Sequence, residues 1–155
     1  VIGRIPNEGI PDYIETRHIA DVRLCVISSA KHPLVRKRQI AATDLAQYPW
    51  VVYQDDEETV ATREALFRRM SADPPRIAVE STSLTAIFQM LRAGPYLGCV
   101  ASGVLDTVIG EGLVELPLPV DVARFRGGAM FARTLANVAP ITSLIELLRD
   151  AARES

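Results

Sequence analysis

The chain has 155 residues, 48% hydrophobic and 23% charged, a composition that rules out disorder. Its length suits one domain or two small lobes, and it buries enough apolar surface to need no disulfide or metal staple. With 17 basic and 19 acidic residues the net charge is -2, which argues against a nucleic-acid-binding module. No apolar run approaches about 18 residues, so no membrane span is expected.

The first segment, residues 1–6 (VIGRIP), reads as a strand. The chain opens at Val1 without Met or a signal peptide, as expected of a fragment whose upstream part holds further function. Residues 6–18 mix Pro, Gly and charge like a linker, and 23–28 (RLCVIS) form a β-branched, apolar strand. A helical turn over 43–47 stops before Pro49, and 50–54 (WVVYQ) give another strand. Residues 60–71 read as a helix with Ala61, Ala65 and Leu66 on one face, and 76–81 as a strand. The strongest helix is 84–93, where Leu84, Ile87, Phe88 and Leu91 fall at i, i+3, i+4 and i+7. Gly94 and Pro95 stop it.

A strand over 96–102 leads to a helix over 103–110 with Ser102 as N-cap, then strands over 113–118 and 127–133. Residues 117–124 carry two prolines and read as a second linker. A last helix over 140–153 aligns Ile141, Leu144, Ile145 and Leu148. Ser143 and Glu146 have capping-box spacing, but Pro140 points to an earlier start. Alternating strands and helices indicate an α/β fold with a mostly parallel sheet. Two crossings at the linkers would make residues 23–117 one lobe and assign both chain ends to the other.

There is no P-loop, no HExxH and no GxSxG, and no carboxylate pair stands out as an acid/base couple. Cys25 and Cys99 each lie in an apolar run and read as buried thiols, with a disulfide possible only between neighbouring strands. His18 and His32 are isolated, so no metal site is expected. The acidic run 55–58 and the basic run 31–38 both read as solvated loops.

The strand-to-helix junctions are more informative. Ser81, Thr82 and Ser83 follow one strand and open a helix, where unpaired N–H groups attract anions and hydroxyls add donors. Ligands of open α/β sheets sit at the carboxyl ends of strands. Tyr53 and Gln54 end another strand and Ser102 a third, while Arg4, after Gly3 at the end of the first strand, offers a cation for a carboxylate.

The order of motifs resembles the effector-binding domain of LysR-type transcriptional regulators. The series is His32-Pro33-Leu34, Asp44-Leu45, Pro49-Trp50, Arg63 and Phe67, Pro74-Pro75, Glu80-Ser81, Ala93-Gly94, Leu97-Gly98-Cys99-Val100-Ala101, Gly112-Leu113-Val114 and Leu116-Pro117-Leu118. The resemblance covers nearly the whole chain. It implies a type II periplasmic-binding-protein-like α/β fold of two lobes with mixed, mostly parallel sheets, lobe one being incomplete. Residues 1–22 would be part of lobe one and the first crossing, 23–117 lobe two, and 118–155 the second crossing and the end of lobe one.

The function it implies is sensing of a small-molecule effector, sugar-related or a small carboxylate, bound between the lobes. DNA would be reached only through a domain absent from this chain, in a cytoplasmic homodimer or homotetramer. The resemblance implies neither enzymatic activity nor a cofactor, metal or membrane. Carried over residue by residue, it assigns effector binding to Arg4, Tyr53, Gln54, Ser81, Thr82, Ser83 and Ser102. Ser102 departs from the family, which more often has Pro there, and the stretch from Gly94 to Gly98 departs from the usual Gly-x-Gly. The alternative reading is the solute-binding protein of a transporter with the same fold.

Overall fold

The computed structural model describes residues 1–54 and 57–153, and the side chains of all of these except 57–59. The acidic run 55–58 therefore falls outside the described residues and side chains. Among the described residues seven strands and four α-helices follow one another: β1 (Ile2–Arg4), β2 (Ile14–Ser29), α1 (Ala42–Ala46), β3 (Trp50–Tyr53), α2 (Glu57–Arg69), β4 (Ile77–Ser81), α3 (Leu84–Ala93), β5 (Gly98–Ala101), β6 (Leu113–Glu115), β7 (Ala123–Ala132) and α4 (Ala139–Arg153). They form two compact units, one of Val1–Val22 with Arg124–Ser155, the other of Arg23–Ala123.

In the unit Arg23–Ala123, β3 pairs with β4 in parallel, Val51 opposite Val79 and Tyr53 opposite Ser81. A parallel bridge between Trp50 and Leu97 joins β3 to the start of β5. The Val51 N–H donates to the Leu97 carbonyl at 2.9 Å and the Leu97 N–H to that of Pro49 at 3.0 Å. The last residues of β2 run antiparallel to β5 on one side, with Leu24 opposite Ala101, and to β6 on the other, with Ser29 opposite Leu113. These pairings make β3, β4, β5 and β6 point one way and β2 the other. The helical crossovers produce the common direction, since a strand re-entering beside its predecessor after a helix must run parallel to it.

Both faces of this sheet are covered, which explains the unbroken apolar runs. On one face Val26, Leu45, Trp50, Phe67, Leu97 and Leu116 pack together; on the other Cys25, Ile27, Val51, Ile87, Phe88, Leu91 and Val100. The Trp50 ring meets Phe67 edge-on at 5.6 Å between centroids, and its indole N–H donates to the Leu45 carbonyl at 3.2 Å. α3 buries Ile87, Phe88 and Leu91, each contributing about 1.5–3 kcal/mol of hydrophobic stabilisation, while Leu84 stays 46% exposed.

Several local expectations are corrected. In α2 the buried residues are Leu66 and Phe67, and Ala61 is exposed, because the helix turns its larger side chains to the core. The expected helix over 103–110 is two 3-10 turns, Ser102–Val104 and Val108–Gly110. The Thr107 hydroxyl donates to the Val104 carbonyl at 2.6 Å, competing with helix propagation. Gly110 packs so closely that a Cβ there would lie 2.5 Å from the Val104 oxygen. Val108, within the expected helix, is 87% exposed. Gly94 is extended rather than left-handed, so the stop comes from Pro95. Cys25 and Cys99 sit on neighbouring strands, but Cys99 stands opposite Val26 and Cys25 opposite Val100. Alternation puts the two thiols on opposite faces, and the two cysteines are not joined in a disulfide.

In the other unit β1 runs antiparallel to β7, Ile2 opposite Ala129, and β7 lies between β1 and β2. β2 already begins at Ile14, within the stretch read as a linker. Gly128 allows a close approach: a Cβ there would lie 2.4 Å from the Arg17 carbonyl oxygen. α4 buries Ile145 and is tied to β2 by Arg149, whose Nε donates to the His18 carbonyl at 2.8 Å. Leu144, expected on the buried stripe, is exposed. Among the described residues, no helix is long and apolar enough to cross a membrane.

Candidate functional site

The shared direction of β3, β4 and β5 brings their carboxyl ends to one edge of the sheet. Tyr53 and Gln54 end β3 there, both exposed. The Gln54 N–H donates to the Ser81 carbonyl at 2.9 Å, so the loops after β3 and β4 are joined by backbone. The Ser81 hydroxyl oxygen accepts the Ser83 N–H at 3.1 Å, folding the two-residue connection into a tight turn. The Ser83 hydroxyl oxygen accepts the Ala86 N–H at 3.2 Å and caps α3. Thr82, between them, is exposed.

Helix geometry leaves the N–H groups of Leu84 and Thr85 without intrahelical partners, and the α3 dipole adds positive potential at this edge. Ser102 follows β5, so it comes to the same edge. It is the first residue of a 3-10 turn, its carbonyl accepting the Leu105 N–H at 3.0 Å. Ala101 holds the cap position and no side chain caps that turn, which corrects the expected role of Ser102 as N-cap.

The structure thus brings Tyr53, Gln54, Ser81, Thr82, Ser83 and Ser102 to one sheet edge. Arg4 belongs to the other unit, where its guanidinium lies over the Phe125 ring at 4.2 Å from the centroid. The edge offers hydroxyls, an amide and helix-terminal N–H groups, without a carboxylate or imidazole among the six. Such a set orients an oxygen-rich or anionic small molecule by hydrogen bonds; it holds no nucleophile–base pair.

Sequence reasoning missed one feature of this edge. Arg23, at the start of this unit's part of β2, forms a bidentate pair with Glu115 on β6, at 2.5 and 2.8 Å. The two are far apart in the chain, and only the antiparallel β2–β6 pairing joins them. The Glu115 hydrogen bonds and charge raise the Arg23 pKa further above its already high value. Cys25, two residues further along β2, is buried, and burial pushes its thiol up to about 11, Glu115 adding to the shift and Arg23 opposing it. It is therefore protonated at neutral pH and a poor nucleophile. Among the described residues, no group of three or more His, Cys, Asp or Glu side chains is placed to hold a metal ion.

A two-sided α/β sheet with hydroxyl-bearing strand ends is an arrangement that suits small-molecule binding. The family model described as the LysR substrate binding domain matches residues 2–153, and the chain belongs to that family. Among curated proteins it is similar to the HTH-type transcriptional regulator GbpR of Rhizobium radiobacter, 24% identical over 111 residues, which cover 72% of this chain and 37% of that protein. GbpR of Azospirillum brasilense is 32% identical over 83 residues, 53% of this chain and 24% of that one. The chain thus spans about a third or less of the length of these relatives.

Solved structures share the fold. The regulatory domain of CcmR from Synechocystis PCC6803, in complex with 2-PG, has a TM-score of 0.75 at 20% identity, covering 97% of this chain and 72% of that one. HinK of Pseudomonas aeruginosa, a LysR family transcriptional regulator, has a TM-score of 0.73 at 18% identity, covering 96% of this chain and 51% of that one. The type II periplasmic-binding-protein-like α/β fold with mixed sheets is that of the LysR substrate-binding domain.

Proposed function

We propose that this domain senses a small oxygen-rich effector at the edge formed by Tyr53, Gln54, Ser81, Thr82, Ser83 and Ser102, and, separately, that Arg4 in the unit of the two chain ends has affinity for a carboxylate. The observation that carries the reading is the junction between β4 and α3. There three consecutive hydroxyl residues meet a helix N-terminus, in a chain matched to the LysR substrate binding domain over 2–153. The 2-PG bound to the CcmR regulatory domain supports a small ligand as the class, and sugars, sugar phosphates and small carboxylates suit the donors present. In this reading the protein is a cytoplasmic regulator, not an enzyme. It acts as a homodimer or homotetramer and meets DNA through a domain outside this chain.

The mechanism is a population shift. An effector that binds one conformation better favours it by the difference in affinity and by no more. A coupling of about 1–3 kcal/mol changes promoter occupancy from severalfold to about a hundredfold.

A thermal-shift screen of the protein against sugars, sugar phosphates and small carboxylates tests this. A ligand at about 100 times its Kd adds about 2.7 kcal/mol of stability. The response at this edge should vanish in Ser83→Ala, and carboxylate binding by Arg4 should weaken in Arg4→Ala. The edge response should survive in Ser83→Thr, which keeps both cap and hydroxyl. A stabilising ligand indifferent to every substitution at this edge overturns the site assignment, and turnover of that ligand overturns the sensing role.

A further inference from the structure

The unit Arg23–Ala123 has a second recess, at the opposite edge of its sheet, where β2 ends and β5 begins. Ser29, Lys31, His32, Pro33, Arg92 and Pro95 are among the residues lining this cavity of about 290 Å3, and no carboxylate is among its walls. Lys31 is exposed, and among the described residues it forms no ion pair. The Arg92 guanidinium is held in place by backbone alone: its Nε donates to the Glu111 carbonyl at 2.8 Å and its Nη2 to the Ile109 carbonyl. These bonds orient the group, and among the described residues no carboxylate pairs with it.

The walls are built. The Ser29 hydroxyl oxygen accepts the Lys31 N–H at 3.3 Å, fixing the loop that carries the lysine. His32 is only 3% exposed. Its Nδ1 accepts the Leu34 N–H at 3.2 Å, which places the ring proton on Nε2, and its ring meets Tyr48 at 4.4 Å. That Nε2 is buried and has no hydrogen-bond partner; the Pro95 carbonyl is near enough to favour a charged ring but does not reach hydrogen-bond geometry. A buried donor without a full hydrogen-bond partner is uncommon in a native fold, and Pro95, whose carbonyl acts on this ring, lines the same recess.

We propose that this recess is a second ligand site, taking a small oxyanion, a phosphate or carboxylate group, between the Lys31 ammonium and the Arg92 guanidinium. Its size suits one anionic group on a small molecule. Lying at the opposite edge of the sheet, it is independent of the hydroxyl-bearing edge and would be a separate input to the same domain.

Inorganic phosphate and acetate, each titrated into the protein at constant ionic strength against chloride, test this by calorimetry and by the NMR signals of the His32 ring. Saturable binding of phosphate or acetate that perturbs His32 is expected, and the anion that binds tells which group the site takes. Lys31→Ala should weaken that binding about tenfold, the worth of one charge-assisted contact, without altering the fold of an exposed position. Ser83→Ala should leave it unchanged. A response shared equally by chloride, or one that Lys31→Ala leaves intact, overturns the proposal, as does saturating neither anion.

Discussion

The Ser83 hydroxyl accepts a backbone N–H at the start of α3, so its removal carries a structural cost separate from any ligand. Ser83→Ala should lower stability by about 1 kcal/mol in urea melts, and Ser83→Asp should restore it, since Asp caps as well as Ser. An unchanged midpoint in the alanine variant would show that the cap contributes nothing here. Cys25 is held protonated by burial, with its pKa pushed up to about 11, and faces away from Cys99. Native protein should therefore show slow alkylation of Cys25 at neutral pH and form no intramolecular disulfide on mild oxidation, whereas both thiols react once unfolded. Mass spectrometry of the alkylated peptides checks this. His32 gives the pH dependence. Burial lowers its pKa below the ordinary 6.5, so between the two values the unfolded chain binds a proton that the folded chain does not. The neutral ring's contribution is fully present above pH 6.5 and is lost as pH falls toward the folded value. The slope is at most about 1.4 kcal/mol per pH unit for one proton. Urea melts across that range should show this slope, and His32→Gln should flatten it; a slope unchanged in the variant would assign the effect to another group.

At the scale of elements, α3 shows why some of the fold is legible in sequence. Ile87, Phe88 and Leu91 repeat at helical spacing and all are buried, so the periodicity and the core coincide. Phe88→Ala should cost about 3–5 kcal/mol, measured by denaturant unfolding, while Leu84→Ala should cost far less, because Leu84 is half exposed despite sharing the pattern. Equal losses would mean that Leu84 packs against something beyond these elements. The segment 103–110, with Val104, Leu105, Val108 and Ile109, also suits a helix in sequence but does not form one. Its two 3-10 turns are set by the Thr107 hydroxyl on the Val104 carbonyl and by the close backbone at Gly110, neither visible as periodicity. The length of β2 was hidden for a related reason: its first half, from Ile14, carries charged residues beside half-buried ones, and pairing with β7 rather than apolar content makes it a strand. The candidate edge was legible because strand-end hydroxyls before a helix form a local signal. The Arg23–Glu115 pair on that edge was not, because it depends on β2 running against β6.

Across the whole molecule the apolar packing is uneven. All residues of the two apolar clusters, from Cys25 to Val122, lie in the unit Arg23–Ala123. That unit is one continuous stretch of chain. The other is assembled from both chain ends, and its buried apolar residues are Ile5, Ala129 and Ile145. Free energies of local opening follow buried apolar contact, so the two units should not be equally protected. Native-state hydrogen exchange should find the slowest amides in residues 24–27 of β2, in β3, in β5 and in α3. Amides of α4, which leaves Leu144 and Leu147 exposed, should exchange faster despite its greater length. Helix length alone would predict the reverse, since longer helices propagate better in isolation. If α4 proved as slow as β3, some surface beyond these residues would have to cover its exposed leucines. If the predicted order holds, the recess at Lys31 and the hydroxyl edge at Ser83 both stand on the most rigid part of the chain. Each would then meet its ligand with donors already in place, and little affinity would be lost to ordering them.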